Sequence, residues 1–281
     1  MPRQLFGKRF KMGLGGAIVA TTLLAALLAP YAATHDPDEQ ALLERLQPPF
    51  WHEAGSAAHW LGTDNYGRDL FSRLVYGARI SILVGFASML LSCLSGSLLG
   101  MIAGYRGGTL EHLIMRLADA HLALPDILLA ILIVAAIGGS ALNLILVLGI
   151  SGWMVYARVT FGMTRALRER GFVEAAISQG AGDLYVICQH IFPQLLPVLA
   201  AMSTLQVAHV ILQETALSFL GLGVPPPAAT WGNMLAEGRD QLWVAPWIAN
   251  LSGLTIVVVV WATNLLGSGL QEQLDPGSQP H

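Results

Sequence analysis

Long apolar stretches separated by polar segments dominate the pattern of side chains along the chain. A transmembrane helix needs about 20 mostly apolar residues to cross the hydrocarbon core of a bilayer, and six stretches approach or exceed that length. They cover residues 12–33, 80–104, 120–137, 141–159, 195–222 and 247–267. The pattern therefore predicts an all-α fold, a polytopic membrane bundle of six transmembrane helices.

The composition agrees with a protein that lies in lipid. Hydrophobic residues make up 54% of the chain and charged residues only 12%, whereas a soluble globular domain carries about 25% charged residues. So few charged side chains cannot cover a surface that is exposed to water. The formal net charge of -3 and the lack of a clustered basic stretch give no indication of nucleic-acid binding.

The charges between the apolar stretches predict the orientation in the membrane. With six spans both termini lie on one side, and that side collects most of the cations: Arg3, Lys8, Arg9, Lys11, Arg106, Arg116, Arg158, Arg165, Arg168 and Arg170. Because loops rich in lysine and arginine stay in the cytoplasm, both termini are predicted to be cytoplasmic. The basic leader is also typical of a cleaved signal peptide, but the long first stretch and the later spans favour a retained helix.

These spans divide the chain into four predicted parts. Residues 1–34 form a cytoplasmic N-terminus and the first transmembrane helix, and residues 35–77 form an external loop. Residues 78–268 form the core transmembrane domain, which includes a cytoplasmic loop at 158–193, and residues 269–281 form a cytoplasmic tail. The cytoplasmic loop carries the strongest functional pattern.

The cytoplasmic loop is predicted to form a helix, a tight turn and a second helix. Residues 163–178 favour a helix, and Gly180 is placed to end it, since a C-terminal cap often needs a positive φ. Asp183 can cap a second short helix over residues 184–192, and Pro193 suits the first turn of the fifth span. Such an elbow suits a groove in another protein, and an ordinary amphipathic loop is the alternative at this point.

The residues of this elbow resemble a known family. Glu174, Ala175 and Ala176, then Gly180, then Pro193, are similar to the EAA loop of bacterial ABC importer permeases. The resemblance implies that the small side chains seat the loop in a cleft of the ATPase subunit, while the glycine forms the turn. The predicted ATPase-coupling loop therefore consists of Glu174, Ala175, Ala176, Gly180, Asp183 and Pro193. The family often has leucine before the proline, where this chain has Phe192.

Three further stretches resemble the C-type permeases of dipeptide, oligopeptide and nickel importers. They cover residues 59–74, 218–234 and 264–276, and the likeness extends over nearly the whole chain from Asp36. It implies a type I ABC importer permease fold and transport by alternating access. The family usually has Asp, Arg and Asp at three positions where this chain has Ser268, Gln271 and Glu272, which leaves charge pairing there open.

The same resemblance implies the partners and the location. The chain would pair with a B-type permease subunit, two ABC ATPase subunits and a periplasmic or lipid-anchored substrate-binding protein, within the lipid of the bacterial inner membrane. ATP hydrolysis would then reside in the partners, and no cofactor, metal site or catalytic residue is expected in this chain. The cargo is left open among peptides, nickel and metal chelates.

The residues themselves give no pattern typical of an enzyme. The chain has no GxxxxGK[ST] loop for ATP, no GxSxG elbow and no cysteine or histidine spacing typical of a metal site. Cys93 and Cys188 fall in different segments and are expected to be unpaired. The alternatives to an importer are a membrane-embedded enzyme and an ion-coupled secondary transporter, and the second would favour inverted repeats or matching broken helices.

The fifth span carries polar residues at helical spacing. Ser203, Gln206, His209 and Gln213 share one helix face, and Glu214 lies beside it. Polar groups at membrane depth are costly and mark functional sites, so this stripe is predicted to line the translocation path. Hydrogen bonding between helices is the alternative. A histidine in the stripe slightly favours a metal or chelate cargo.

Two aspartates flank the start of the third span. Asp119 is expected to cap its helix or to pair with Arg116, rather than to carry a proton. Asp126 is the second of these aspartates, and the sequence assigns it no partner.

Overall fold

The computed structural model describes residues 2–274, with the side chains of residues 10–273. The last part of the predicted tail, with Asp275 and Pro276, lies outside the described residues. The described chain is helical and has no strand, only an isolated bridge between Thr63 and Asp69. Its helices are α1 Pro2–Leu27, α2 Ala29–Ala32, α3 Leu70–Arg106, α4 Gly108–Leu122, α5 Asp126–Ile137, α6 Ala141–Ser151, α7 Trp153–Arg168, α8 Gly171–Ser178, α9 Asp183–Val186, α10 Phe192–Phe219, α11 Trp231–Arg239 and α12 Pro246–Leu274.

Within the described residues, five helical segments are long and apolar enough to cross a bilayer. One of them joins α6 to α7, and another joins α9 to α10 through a π-helical turn at Ile187–Ile191. The pair α4 and α5 makes a sixth span if the bent pair is counted as one. The prediction of an all-α membrane bundle is confirmed.

The third predicted span, residues 120–137, is not one straight helix. α4 ends at Leu122, α5 begins at Asp126, and the two helices are bent by 86°. Pro125 explains the break, because proline lacks the N–H that a continuing helix needs and disfavours helical geometry in the preceding residue. α5 has 12 residues and is about 18 Å long, whereas the hydrocarbon core is about 30 Å thick.

Other spans extend beyond their predicted ends into polar sequence. α3 begins at Leu70 rather than at residue 80, and Asp69 caps it by accepting a bond from the N–H of Ser72 at 2.8 Å. α7 continues the fourth span to Arg168 rather than stopping at residue 159. A hydropathy pattern does not predict these additional helical turns. It scores each polar side chain as unfavourable in a membrane, whether or not the folded structure gives that side chain a hydrogen-bond partner.

Small residues bring α3 and α7 into close contact. Gly96, Gly100 and Gly104 recur every four residues, and a Cβ on any of them would clash with the backbone of α7. Membrane helices rely on such close packing, because lipid provides no hydrophobic drive between them. The segment that follows α7, within the loop at residues 158–193, leaves the bundle from this helix pair.

The two ends of the described chain meet in an ion pair. Lys11 Nζ on α1 lies 2.8 Å from Glu272 Oε1 on α12. Charge pairing at this end of α12 is therefore present despite the three departures from the family's usual residues.

Buried ion pairs connect the loop at residues 35–77 to the helix ends. Arg68 Nε lies 2.6 Å from Asp64 Oδ2, and Arg68 Nη2 lies 2.9 Å from Glu237 Oε2 on α11. Arg73 Nε, on α3, lies 3.4 Å from the same oxygen of Asp64. These residues of the loop motif at 59–74 therefore hold the loop against α3 and α11, and we call them and Glu237 the loop ion cluster.

His59 lies in the same loop between two carboxylates. Its Nδ1 is 2.9 Å from Asp69 Oδ1, and its Nε2 is 3.1 Å from Glu44 Oε2. Burial lowers the pKa of His59, but the hydrogen bonds and charges of the two carboxylates outweigh burial and raise that pKa above its ordinary value. The loop is thus folded around a buried polar centre rather than an apolar core.

Candidate functional site

The loop at residues 158–193 forms an elbow in which α8 ends in a glycine turn. The N–H of Ala181 donates to the carbonyl of Ala176 at 3.1 Å, and the N–H of Gly180 donates to the carbonyl of Ile177 at 2.9 Å. These two bonds form a Schellman motif, which needs a residue in the left-handed region. Gly180 supplies it with a φ of +87°, and glycine adopts that region without a Cβ penalty.

One side of α8 packs into the bundle while the other stays open. Val173 is buried in an apolar cluster with side chains from α3, α9 and α10. Glu174, Ala175 and Gly180 are exposed, and Ala176 is half-buried. The small side chains leave the backbone of the turn open to close approach by another protein.

A concavity of about 570 Å³ lies between α8 and α9, next to the turn. Large apolar side chains around the elbow are exposed, among them Phe172, Ile177, Leu184 and Tyr185. Contiguous exposed apolar surface marks interaction sites. The elbow therefore combines a concavity with exposed apolar side chains, which are features typical of a surface that another protein contacts.

Asp183 does not cap the second helix of the elbow, contrary to prediction. Gly182 is the N-cap of α9, and Asp183 is its first residue, without a capping bond from its side chain. Its carboxylate instead accepts a hydrogen bond from the Tyr105 hydroxyl at 3.3 Å and lies 3.4 Å from Arg106 Nε. Both partners lie at the end of α3, so Asp183 ties the elbow to that helix end.

The second helix of the elbow runs directly into the membrane span. α9, the π-helical turn and α10 follow one another without a break, and Pro193 lies in the first turn of α10. The predicted helix at 184–192 is therefore the beginning of a longer helix. The elbow and the polar residues farther along α10 therefore belong to one continuous helical segment, which includes the π-helical turn and Pro197.

Two residues of the polar stripe on α10 meet an aspartate from another helix. His209 Nε2 lies 3.0 Å from Asp126 Oδ2, and the side-chain amide of Gln213 donates to the same oxygen at 2.8 Å. The bend before α5 places Asp126 beside α10. The side chain of His209 is 52% exposed, so this Asp126 cluster faces the outside of the single chain.

Sequence reasoning named all three residues of this cluster but did not bring them together. Asp126 and His209 are 83 residues apart in sequence, and helical spacing relates only residues on one helix. In the sequence, Asp126 directly follows a proline within an apolar stretch, and that position could have marked it as a candidate functional residue.

Two further residues of the stripe make contacts between helices. The Tyr156 hydroxyl on α7 donates to Ser203 at 3.2 Å. Gln206 lies against Gly152, at the junction of α6 and α7. The bond to Ser203 is of the kind that the alternative interpretation describes, in which polar side chains join the helices of a bundle by hydrogen bonds.

Glu214 is separated from the exposed part of the stripe. It is fully buried and accepts hydrogen bonds from Ser218 at 2.7 Å and from Ser81 on α3 at 3.4 Å. The N–H of Trp231, at the start of α11, donates to the same serine of α3 at 3.4 Å. Glu214 therefore belongs to a polar junction of three helices rather than to an open surface.

Asp119 lies in the last turn of α4, so it does not cap the start of that helix, and its ion-pair partner is Arg158 on α7 rather than Arg116. Cys93 and Cys188 are unpaired, as expected.

Known proteins resemble the chain over most of its length. A family model described as a binding-protein-dependent transport system inner membrane component matches residues 96–279. The di/tripeptide transport system permease protein DppC of Pseudomonas aeruginosa (strain UCBPP-PA14) is 43% identical over 267 residues, which cover 95% of this chain and 88% of that protein. The glutathione transport system permease protein GsiD of Pectobacterium atrosepticum is 38% identical over 261 residues, with coverages of 93% and 85%.

A solved structure has a similar arrangement of helices. It is an inward-facing conformation of the MetNI methionine ABC transporter, matched with a TM-score of 0.59 at 17% identity. The match covers 73% of this chain and 98% of that chain. At this identity the likeness concerns the fold alone.

Proposed function

Because this chain belongs to the family of binding-protein-dependent transport system inner membrane components, the permease subunits of ABC importers, we propose that it carries short peptides across the bacterial inner membrane. Membership confirms the prediction of an importer permease and of a transport subunit that is not an enzyme. The comparisons do not support a membrane-embedded enzyme or an ion-coupled transporter. The cargo and the individual partners are the proposed part.

The names of the relatives support a peptide cargo. The two relatives above are named for the transport of di/tripeptides and of glutathione, which is itself a short peptide. A nickel or chelate cargo, which the sequence left open, is supported by no relative described here. We therefore take peptides as the cargo and keep nickel as a comparison in the test.

The proposed coupling to ATP hydrolysis is based on the geometry of the elbow. We infer that α8 and the Gly180 turn dock in a cleft of an ABC ATPase subunit. A B-type permease would present its own loop to a second ATPase. Support comes from small exposed side chains at a fixed turn, beside a concavity with an apolar border. Since α9 continues into α10, a displacement of the docked elbow would tilt the span, and the state that ATP favours would be the one selected.

The Asp126 cluster is the proposed contact with solute. It faces outward from this chain, where a B-type permease would complete the path, and it combines a carboxylate with an imidazole and an amide. A peptide has a positively charged amino terminus and several amide groups, which these side chains can bind. Ser203 and Glu214 would join helices by hydrogen bonds along the same path, and Gln206 would pack against Gly152.

We propose the remaining membrane topology as the sequence predicts it. Residues 35–77 would face a periplasmic or lipid-anchored substrate-binding protein, and residues 158–193 would lie in the cytoplasm with both termini. The loop ion cluster supports this assignment of the external loop, because it gives the loop a fixed shape that a partner can recognise.

Uptake and co-purification together test the function. The chain would be produced with its B-type and ATPase partners in cells that lack other peptide importers, and uptake of a radiolabelled dipeptide would be compared with uptake of radioactive nickel. We expect ATP-dependent dipeptide uptake and co-purification of the ATPase. Nickel uptake without dipeptide uptake would overturn the cargo, and failure to retain any ATPase would overturn the coupling.

Asp126→Asn is expected to raise the KM for a dipeptide about tenfold. The amide keeps the shape of the carboxylate but loses its charge, and a hydrogen bond to a charged group is worth about 1.5–3 kcal/mol, or roughly a factor of ten or more. The measurement is competition of uptake by free and N-acetylated dipeptides, since only the free amino terminus is charged.

Asp119→Asn is the matched control, because Asp119 lies in an exposed ion pair away from the cluster. It should leave KM near wild type. If Asp126→Asn also left the preference for free over acetylated dipeptide unchanged, or if replacing both Gln206 and His209 by leucine left uptake normal, the assignment of the path would be wrong.

A further inference from the structure

The external loop brings together two histidines and an aspartate that no sequence spacing connects. The ligand atoms of His35, His59 and Asp69 all lie within 4.8 Å of one another. His59 Nδ1 is 2.9 Å and His35 Nδ1 is 3.8 Å from the same Asp69 oxygen, Oδ1. In a tetrahedral zinc site with bonds of about 2.0–2.1 Å, ligand atoms lie about 3.3 Å apart, so small side-chain rotations give the required spacing.

Neighbouring groups orient two of these three side chains. Glu44 Oε2 lies 3.1 Å from Nε2 of His59, and a carboxylate that accepts the N–H at that nitrogen leaves Nδ1 to bind a metal. Asp69 Oδ2 accepts hydrogen bonds from the backbone N–H of Ser72 at 2.8 Å and from its hydroxyl at 2.7 Å, which directs Oδ1 toward the histidines. Such outer hydrogen bonds are a regular part of metal sites.

A metal-free hydrogen-bond network is the competing explanation for the cluster. It accounts for His59 between its two carboxylates, and it gives His35 Nδ1 a contact of 3.1 Å with the Thr34 hydroxyl. The His35 ring also lies 4.5 Å from the His59 ring, centre to centre, and its Nδ1 is 3.8 Å from the carboxylate oxygen that His59 contacts. A small rotation that exchanges the Thr34 contact for a metal ion would give that ion two imidazoles and one carboxylate oxygen.

The surroundings give an ion access and charge balance. A cavity of about 200 Å³ adjoins the three side chains and is bordered by the carboxylates of Asp36, Glu39 and Glu44. Two imidazoles with one carboxylate suit Zn2+, which takes nitrogen and oxygen ligands, whereas Mg2+ and Ca2+ prefer oxygen alone. Water from the cavity can supply a fourth ligand.

We propose that His35, His59 and Asp69 bind one Zn2+ ion on the external face. The ion would join the start of the loop just after α2, the middle of the loop and the cap of α3, and so would fix the loop in the shape described. This role is independent of the cargo and of the ATPase contact. Binding to the folded loop alone stabilises it by mass action.

The test uses the full chain assembled with its partner permease in detergent. The sample is treated with a chelator and desalted at pH 7.5, because metal ligands must lose their protons when they bind the ion. It is then titrated with Zn2+ and, separately, with Co2+ as a coloured probe. We expect one Zn2+ per chain by elemental analysis, a visible Co2+ spectrum typical of tetrahedral sites and a rise of about 5 °C in Tm. Mg2+ should produce no rise in Tm.

Two variants separate the site from the rest of the complex. His35→Ala removes one ligand but keeps the His59 hydrogen bonds and the α3 cap, so we expect normal assembly, an unchanged metal-free Tm and loss of the Zn2+ response. His52→Ala changes an exposed histidine of the same loop outside the cluster and should bind like wild type. Equal Zn2+ binding by wild type and His35→Ala, or no binding by wild type, would overturn the proposal.

Discussion

Gly180→Val is expected to abolish uptake while the protein still inserts in the membrane. At a φ of +87° a residue with a Cβ is strained by about 1–2 kcal/mol, and a β-branched residue is disfavoured further. The substitution therefore opens the Schellman turn and adds bulk to the proposed docking face. A Cβ at this position meets no atom within 4 Å, so the core stays intact. Dipeptide uptake and membrane yield are the two measurements.

Companion variants separate docking from backbone strain. Asparagine tolerates the left-handed region better than valine does. Loss of uptake in Gly180→Asn would therefore show that a side chain at this position blocks docking, independently of backbone strain. Glu174→Lys places a positive charge in the first turn of α8, where it costs the helix at most about 1 kcal/mol, and is also expected to abolish uptake. Gly171→Ala, at an open position of the same helix, should remain active. Normal uptake and normal ATPase coupling in Gly180→Val and Glu174→Lys would contradict the docking role.

Asp64→Ala is expected to destabilise the protein more than any other single change in the loop at residues 35–77. Arg68 and Arg73 have side chains that are 3% and 1% exposed, and both lie against Asp64. Removing one partner of a buried ion pair costs about 3–5 kcal/mol, because it leaves charge without compensation. Asp64 Oδ1 also accepts the backbone N–H of Tyr66 at 2.8 Å, so a turn of the loop loses its support. Thermal unfolding in detergent measures the effect.

Asp240→Ala is the matched control for this prediction. Asp240 pairs with Arg239 at 3.0 Å, but both side chains are more than half exposed. Exposed pairs contribute about 0–1 kcal/mol, so the Tm should barely change. A decrease in Tm for Asp64→Ala no larger than that of the control would mean that the loop ion cluster does not stabilise the fold.

The polar stripe on α10 illustrates how far residue patterns reach. Helical spacing placed Ser203, Gln206, His209 and Gln213 on one face, because that geometry is a property of a single helix. The helical spacing did not show which of these side chains face outward from the bundle. That depends on the bend before α5, which brings Asp126 to His209, and on the burial of Glu214 between three helices.

The elbow shows the same limit over a shorter distance. A glycine at the end of α8 was predictable, since the turn depends on the backbone of a few adjacent residues. The contact of Asp183 with Tyr105 and Arg106 was not, because those residues lie on α3, 78 positions from Asp183 in the case of the tyrosine. The capping preferences of adjacent residues predicted that Asp183 caps a helix. In the structure its side chain instead contacts Tyr105 and Arg106 on α3.

The sequence by itself determined the membrane class, the apolar segments, the glycine turn and the family, because each follows from hydropathy or from residues close together in the chain. Only the tertiary structure decided which distant polar groups meet. It joined Arg68 to Glu237 across 169 residues, Asp126 to α10, and His35 to His59 and Asp69. Such contacts depend on how helices cross and where they bend, and the free energy that sets those angles is shared among many side chains.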